Sequence, residues 1–288
     1  VVVYIFMTAN VRLAPRNFWD LMTLSGSVAP ATGFEYTNTQ NTDRSSFWRS
    51  PDATGQSLKG SLASGSITIN WAALFAHHCH GGSVRFRAWS NNDWTGTLLV
   101  DTGVNAIYTP VSTGYDFGFA DVADSDTHDP LGTESPYSVF FTQVSGVKSV
   151  QWDFSSKSTT YGYPFWQVGR PFVGNYWEPS INPDYGLSYG LGQNDEAVRT
   201  RGGSKQGGRG GRWAIVDMNF NSISEDEMPT ALDIMKIAQT TQDIAVSLFP
   251  GVGGRQERDG TINGTFSSLD AIGRQVSRLT KRMQIEES

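Results

Sequence analysis

The chain has 288 residues, a formal net charge of -6 and a single cysteine. That length accommodates two ordinary domains with a sizeable core; the mild acidity excludes a global attraction to nucleic acid or membrane, and one thiol excludes an intrachain disulfide, so the fold rests on packing. Charged residues make up 17% and aromatic residues 12%, beside 31 glycines, which suits an all-β fold with many turns rather than a helical bundle.

The opening run Val1–Phe6 is apolar, yet it carries no basic leader and no small-residue cleavage site and is too short to span a bilayer. It is read as no signal peptide, and Met7 is a candidate for the natural start. Residues 1–48 are expected to form an N-terminal arm with first strands at Val11–Leu13 and Leu21–Leu24, the polar run Asn38–Asp43 being an extended loop.

Residues 49–174 read as a jelly-roll β-sandwich. Gln56–Leu62 is a strand; Ser66–Trp71 alternates, with Ile67, Ile69 and Trp71 on one face; Ser83–Trp89 turns Val84, Phe86 and Ala88 inward and both arginines outward. A long turn-rich excursion over 91–136 contains Thr97–Asp101 and the acidic segment Asp121–Asp129, and its length is that of loops that serve a function or a partner. Val139–Phe141, Ser149–Phe154 and Trp166–Val173 complete roughly eight strands, the number of a jelly roll. In the last of them Trp166, Val168 and Phe172 are expected to close the sandwich on a half-buried strand, while Tyr176-Trp177-Glu178-Pro179 aims the chain into a second unit.

That unit, 175–288, reads as smaller and β-rich with one helix at about 224–240. Ser224–Glu227 is a capping-box pattern, and Leu232, Ile234, Met235 and Ala238 mark an apolar face. Pro229 belongs only in a first turn, which draws the helix start towards it. Strands are expected at Trp213–Phe220, Asp243–Pro250, Phe266–Leu269 and Val276–Ile285.

Candidate chemistry is sparse. His77-His78-Cys79-His80 offers three imidazoles and a thiol to zinc, but neighbours on a strand point to opposite faces. The plainer reading is a strand end turning at Gly81-Gly82, leaving His77 and His80 as weak metal candidates. Asp121 and Asp124 are equally weak, because the acidic segment lacks the acid and glycine alternation of a dedicated calcium loop. No metal or other cofactor is expected. No nucleophile-elbow pentapeptide appears and nothing selects a carboxylate pair, so the chain reads as no enzyme.

Arg199, Arg201, Lys205, Arg209 and Arg212 stand in a glycine-rich stretch of a kind that embraces phosphates. No aromatic residue is interleaved before Trp213, so a subunit contact is preferred and no nucleic-acid partner is expected. Nine tryptophans are many for this length. The loop Trp89, Asn91, Asn92, Asp93 and Trp94 joins two indoles to amides and a carboxylate, as sugar-binding surfaces do; the plainer reading makes both rings packed anchors.

Several short pieces together resemble a known family. Asp43–Ser50, Ser66–Ile69, Ala72–His77 leading into Gly81–Arg87, Trp166–Gly174 with Tyr176–Pro179, Arg199–Gly203, and Glu225–Gln239 before two closing strands resemble a bacteriophage tail or baseplate structural protein with a discoidin-like (galactose-binding-like) jelly roll. The resemblance spans most of 40–288 and departs from the pattern at His78-Cys79-His80 and across 91–136. It implies a virion protein of the tail tip or baseplate, made in the host cytoplasm and assembled in multiple symmetric copies with other tail proteins. It further implies contact with host-surface glycan, with no membrane span. The alternative is a carbohydrate-binding module, and behind that a glycan depolymerase.

Overall fold

The computed structural model describes residues 9–43, 45–79, 81–107, 136–157, 164–183, 187–194, 197–199, 205–207, 212–252, 254–269, 273–275 and 278–287. The expected class is observed: a mainly β chain in which an antiparallel jelly-roll sandwich is followed by a β-rich unit. One sheet of the sandwich orders its strands Thr23–Gly26, Gln56–Ser61, Ser149–Ser155, Ser83–Trp89 and Leu98–Asp101, with Asn105–Ala106 also beside Ser83–Trp89. The facing sheet orders Trp48–Arg49, Gln167–Gly174, Ile67–His77 and Tyr137–Val147. Alternation accounts for the filling between them: Trp152 and Phe154 from one sheet and Trp48, Ala72 and Leu74 from the other are buried in one cluster with Phe86 and Trp166.

The second unit is a seven-stranded antiparallel sheet, ordered Arg12–Ala14, Ile244–Ser247, Thr261–Leu269, Arg278–Glu287, Arg212–Ile223 and Ser188–Gln193, with Gly273–Gln275 paired to Arg278–Glu287. The helix Met228–Ala238 covers it with Ala231, Ile234 and Ala238. Pro229 lies in its first turn, where a missing N–H costs nothing, and a single 3-10 turn, Glu225–Glu227, precedes it. The expected capping box is only half made: the Glu227 carboxyl accepts from the Ser224 N–H, but the Ser224 hydroxyl caps no backbone N–H. Ser224 Oγ donates to Glu227 at 3.0 Å, and Glu227 also accepts from the backbone and hydroxyl of Ser180. A second short helix, Gly254–Asp259, was not foreseen from the periodicity.

Two expectations are corrected. The described residues before 49 supply the expected first strands but no separate arm: Arg12–Ala14 forms the edge of the seven-stranded sheet, Thr23–Gly26 joins one sheet of the sandwich, and Trp48–Arg49 joins the other. The Gln167–Gly174 strand is also not half-buried, since all eight residues are buried. Trp166 and Val168 do close the sandwich, but Phe172 faces outward and packs with Trp71, Ala73 and Phe75 against Ala14 and Ala245 of the seven-stranded sheet. This sheet of the sandwich is covered on both faces, so its strands separate two cores rather than core from solvent. Phe172 leaves the face of Val168 because the pairing with Ile67–His77 is interrupted at Gly169, opposite Ala76 with its positive φ of 50°.

The junction carries a buried ion network. Arg170 Nε donates to Asp243 at 3.0 Å, its Nη1 and Nη2 donate to Asp20 at 2.6 and 2.7 Å, and Asn263 Nδ2 donates to the same Asp243 oxygen at 3.0 Å. Burial works against the charge on Arg170, yet the hydrogen bond and charge of Asp20, with Asp243 behind, hold its guanidinium above the ordinary arginine value. A shallow cleft opens beside it between the units, with Asn41, Asp43, Thr261 and Glu287 on its walls. Past the junction, Trp177 forms a two-way backbone bridge with Leu13, 3.0 and 2.8 Å, and Glu178 pairs with Arg12 at 2.9 Å.

Candidate functional site

The strand Trp48–Arg49 is two residues long and pairs with Gln167 and Val168. Trp48 is buried in the sandwich, so alternation turns Arg49 the other way. The preceding loop folds back over it: Ala31 N–H donates to the Arg49 carbonyl at 3.0 Å, Arg49 N–H donates to the Phe34 carbonyl at 3.4 Å, and Asn38 Nδ2 donates to the carbonyls of Gly33 and Phe47 at 3.3 and 3.1 Å. Phe34 and Phe47 are thereby stacked, 5.1 Å apart with planes 14° from parallel.

Phe165 approaches from the other side. Its carbonyl and that of His78 accept from Lys157 Nζ. Next to it, Trp166 is pinned by Ser50 Oγ at 2.7 Å and by the carbonyl of Thr54 at 2.8 Å. The guanidinium of Arg49 therefore sits 4.1 Å from the centroid of Phe34, 4.2 Å from Phe165 and 5.2 Å from Phe47. Each such contact is worth roughly 0.5–2 kcal/mol. Arg49 Nη2 also donates to Gln167 Oε1 at 3.1 Å. All three rings and Arg49 are half-buried. The result is a surface patch of three rings, a forked donor and an amide, held at the end of the sandwich where Ile67–His77 finishes and Gln167–Gly174 begins. Burial pushes the Lys157 amine below its ordinary value.

The residues singled out from sequence lie elsewhere. Trp89 is only 7% exposed and carries Arg87 5.1 Å from its ring. Trp94, in a left-handed backbone conformation with φ 60°, donates its indole N–H to the Val150 carbonyl at 3.1 Å and lies under Lys59. Both indoles thus anchor the loop to the sheet, in keeping with the plainer reading, with Trp89 buried and Trp94 half-buried. Asn91, Asn92 and Asp93 are exposed, and Asp93 turns into its own loop, where the Thr95 hydroxyl and N–H hold its carboxyl below the ordinary range.

His77 is buried, with Nδ1 accepting from the Cys79 N–H at 3.3 Å, and the Cys79 thiol lies 3.4 Å from the Gln167 carbonyl. Among the described residues no group of three His, Cys, Asp or Glu side chains is placed to share a metal ion. His80, Asp121 and Asp124 lie outside the described residues, as do Arg201 and Arg209. Of the basic stretch, Arg199 pairs in register with Lys205 on the two-stranded ribbon Ala197–Arg199 and Lys205–Gly207, and Arg212 pairs with Gln193 on the seven-stranded sheet. No helix is long and apolar enough to cross a membrane among the described residues.

Sequence reasoning missed Phe34, Phe165 and Arg49 as a set. One local signal exists: Phe47-Trp48-Arg49 alternates, so Phe47 and Arg49 share the face opposite a buried tryptophan. Nothing local brings Phe165 to them, because its place is set by pairing across more than a hundred residues.

No protein-family model matches the sequence, and no curated protein matches it. Among solved structures the chain is similar to chitosan-binding module 1 of a chitosanase/glucanase from Paenibacillus sp. IK-5, at 17% identity and TM-score 0.37 over 55% of this chain and 98% of that one. It is also similar to the CBM32 of AlyQ in complex with 4,5-unsaturated mannuronic acid, at 14% identity and TM-score 0.36 over 54% and 95%. A third is CpGH89CBM32-4 produced by Clostridium perfringens, at 11% identity and TM-score 0.35 over 56% and 99%. Identities and TM-scores this low carry neither ligand nor activity over to this chain.

Proposed function

We propose that the protein is a non-catalytic binding module that takes a glycan on the Arg49 patch. The observation that carries this reading is the gathering of Phe34, Phe47 and Phe165 around one guanidinium on a hydrogen-bonded sandwich end. Half-buried rings present flat apolar surface to the C–H face of a pyranose, while the guanidinium and the Gln167 amide supply directional hydrogen bonds. These are groups that bind rather than react. A glycan array followed by calorimetric titration tests the proposal. Phe34→Ala and Phe165→Ala should each weaken binding about tenfold or more, the loss expected when a central aromatic anchor is removed. Binding indifferent to both changes, or none to any glycan, removes the reading.

A second reading, an assembly component of a phage tail tip or baseplate, is favoured by the clamped junction. The sandwich is locked onto a second sheet through Arg12–Ala14 and the Arg170 network, which suits a part that transmits position between neighbours. The basic ribbon with Arg199 beside Lys205 would dock on an acidic neighbouring subunit. Mass spectrometry of purified virions decides it: the chain should be present at fixed stoichiometry in tails, and its absence from them sinks the idea.

A further inference from the structure

We infer that the ligand of the Arg49 patch is an acidic glycan whose sugars carry uronate carboxylates; this rests on the glycan reading above and names the ligand class for the same site. Among the described residues Arg49 forms no ion pair; Nη2 donates to the neutral Gln167 amide, and Nε is buried without a hydrogen-bond partner. The carboxylates nearest in sequence are engaged elsewhere. Asp43 accepts from the Ser45 N–H and hydroxyl at 2.9 Å, and Asp52 from the Thr54 N–H at 2.9 Å and Gln56 Nε2 at 3.2 Å. Glu35, beside Phe34, is exposed and makes no ion pair with Arg49. A second cation, Lys157, bonds the Phe165 carbonyl at the edge of the patch and lies 5.0 Å from the Trp166 ring.

Rings held against a guanidinium offer two kinds of complementarity at once. The rings accept the apolar face of a pyranose, and the planar fork matches a carboxylate, whose charge-assisted hydrogen bonds are about twice as strong as neutral ones. A neutral sugar satisfies the rings and leaves the half-desolvated charge without a partner. A uronate, whose carboxylate projects from the ring edge, satisfies both.

The test compares a polyglucuronate of defined length with the neutral glucan made from it by carboxyl reduction, by calorimetry at low and moderate salt. The wild type should bind the acidic polymer about tenfold more tightly, the ratio falling as salt screens the charge. In Arg49→Gln the ratio should fall to near one. A wild-type ratio near one, or a ratio unchanged in Arg49→Gln, overturns the inference. Should Arg49→Gln fail to fold, Arg49→Lys decides: it keeps a charge over the rings but loses the fork, so a lowered ratio supports the assignment and an unchanged one overturns it. Binding of neutral glycans alone overturns the inference and leaves the glycan reading standing, whereas binding of no glycan overturns both.

Discussion

Arg170 shows how much one side chain carries. It is 6% exposed, and its partner Asp243 is 5% exposed. Removing either charge strands the other in a site that water does not reach. Arg170→Met should therefore destabilise the protein by about 3–5 kcal/mol, read from urea unfolding. A loss below about 1 kcal/mol would mean that water hydrates Asp243 once the arginine is gone. Exposed pairs behave differently. Arg85 forms a two-point pair with Asp101, and that hydrogen bond pulls the Asp101 carboxyl from 3.8 down to about 2. A depressed carboxyl stabilises the fold above its unfolded value and loses that contribution as pH falls through its folded value. The wild type should accordingly exceed Arg85→Gln by at most about 1 kcal/mol at neutral pH, since both side chains are partly exposed. Between pH 3.8 and about 2 that difference should vanish, as measured by unfolding midpoints. A difference that persists below this window would assign it to packing of the arginine stem.

At the scale of elements, the short Arg12–Ala14 strand does more than its length suggests. It closes the edge of the seven-stranded sheet against Ile244–Ser247, and Leu13 is fully buried in that core. Leu13→Ala should cost about 2–5 kcal/mol in chemical unfolding, the range for a buried leucine that leaves a cavity. A cost under about 1 kcal/mol would show that the edge strand frays. Gly264 is constrained by the opposite effect. A Cβ there would lie 2.1 Å from the Glu286 carbonyl oxygen on the paired strand, so no side chain can adjust to admit it. Gly264→Ala should therefore separate the strands locally and cost about 1–3 kcal/mol, with faster amide exchange across Arg278–Glu287 as its signature. Unchanged exchange would show that the backbones slide apart without loss.

For the whole molecule, the four-stranded sheet of the sandwich is the shared wall. Ala72 and Leu74 face one core, while Trp71, Ala73 and Phe75 face the junction with the second unit. Neither unit can unfold without baring apolar surface on the other. Scanning calorimetry should show one cooperative transition, with calorimetric and van't Hoff enthalpies in agreement; two separated transitions would mean that the junction contributes little.

Local pattern was enough to locate the strands that line the sandwich. Ser83–Trp89 and Ser149–Phe154 alternate with period two because one face of each meets a core, and that signal is written in adjacent residues. Ile67–Trp71 departs from it: Ile67 and Ile69 face the sandwich, but a register shift before Trp71 turns that ring to the junction, which corrects the expectation of one shared face. Pro229 likewise marks the first turn of the helix by its missing N–H. Tertiary structure decided the rest. Phe172 and Arg170 look identical in sequence to inward residues of a half-buried strand, and only a second sheet on the outer face explains why a charge is buried there. Trp89 and Trp94 read either as a sugar-contact loop or as packed anchors, and only the sheet beneath, which buries Trp89 and accepts the Trp94 indole N–H, shows how they are held. Phe34, Phe47, Arg49 and Phe165 formed the patch because antiparallel pairing joined Trp48–Arg49 to Gln167–Val168. Contacts made by pairing distant segments leave no period in the chain, so composition and alternation determined that this protein is a β-sandwich with a second β unit, and strand pairing alone decided which aromatic rings remain at its surface.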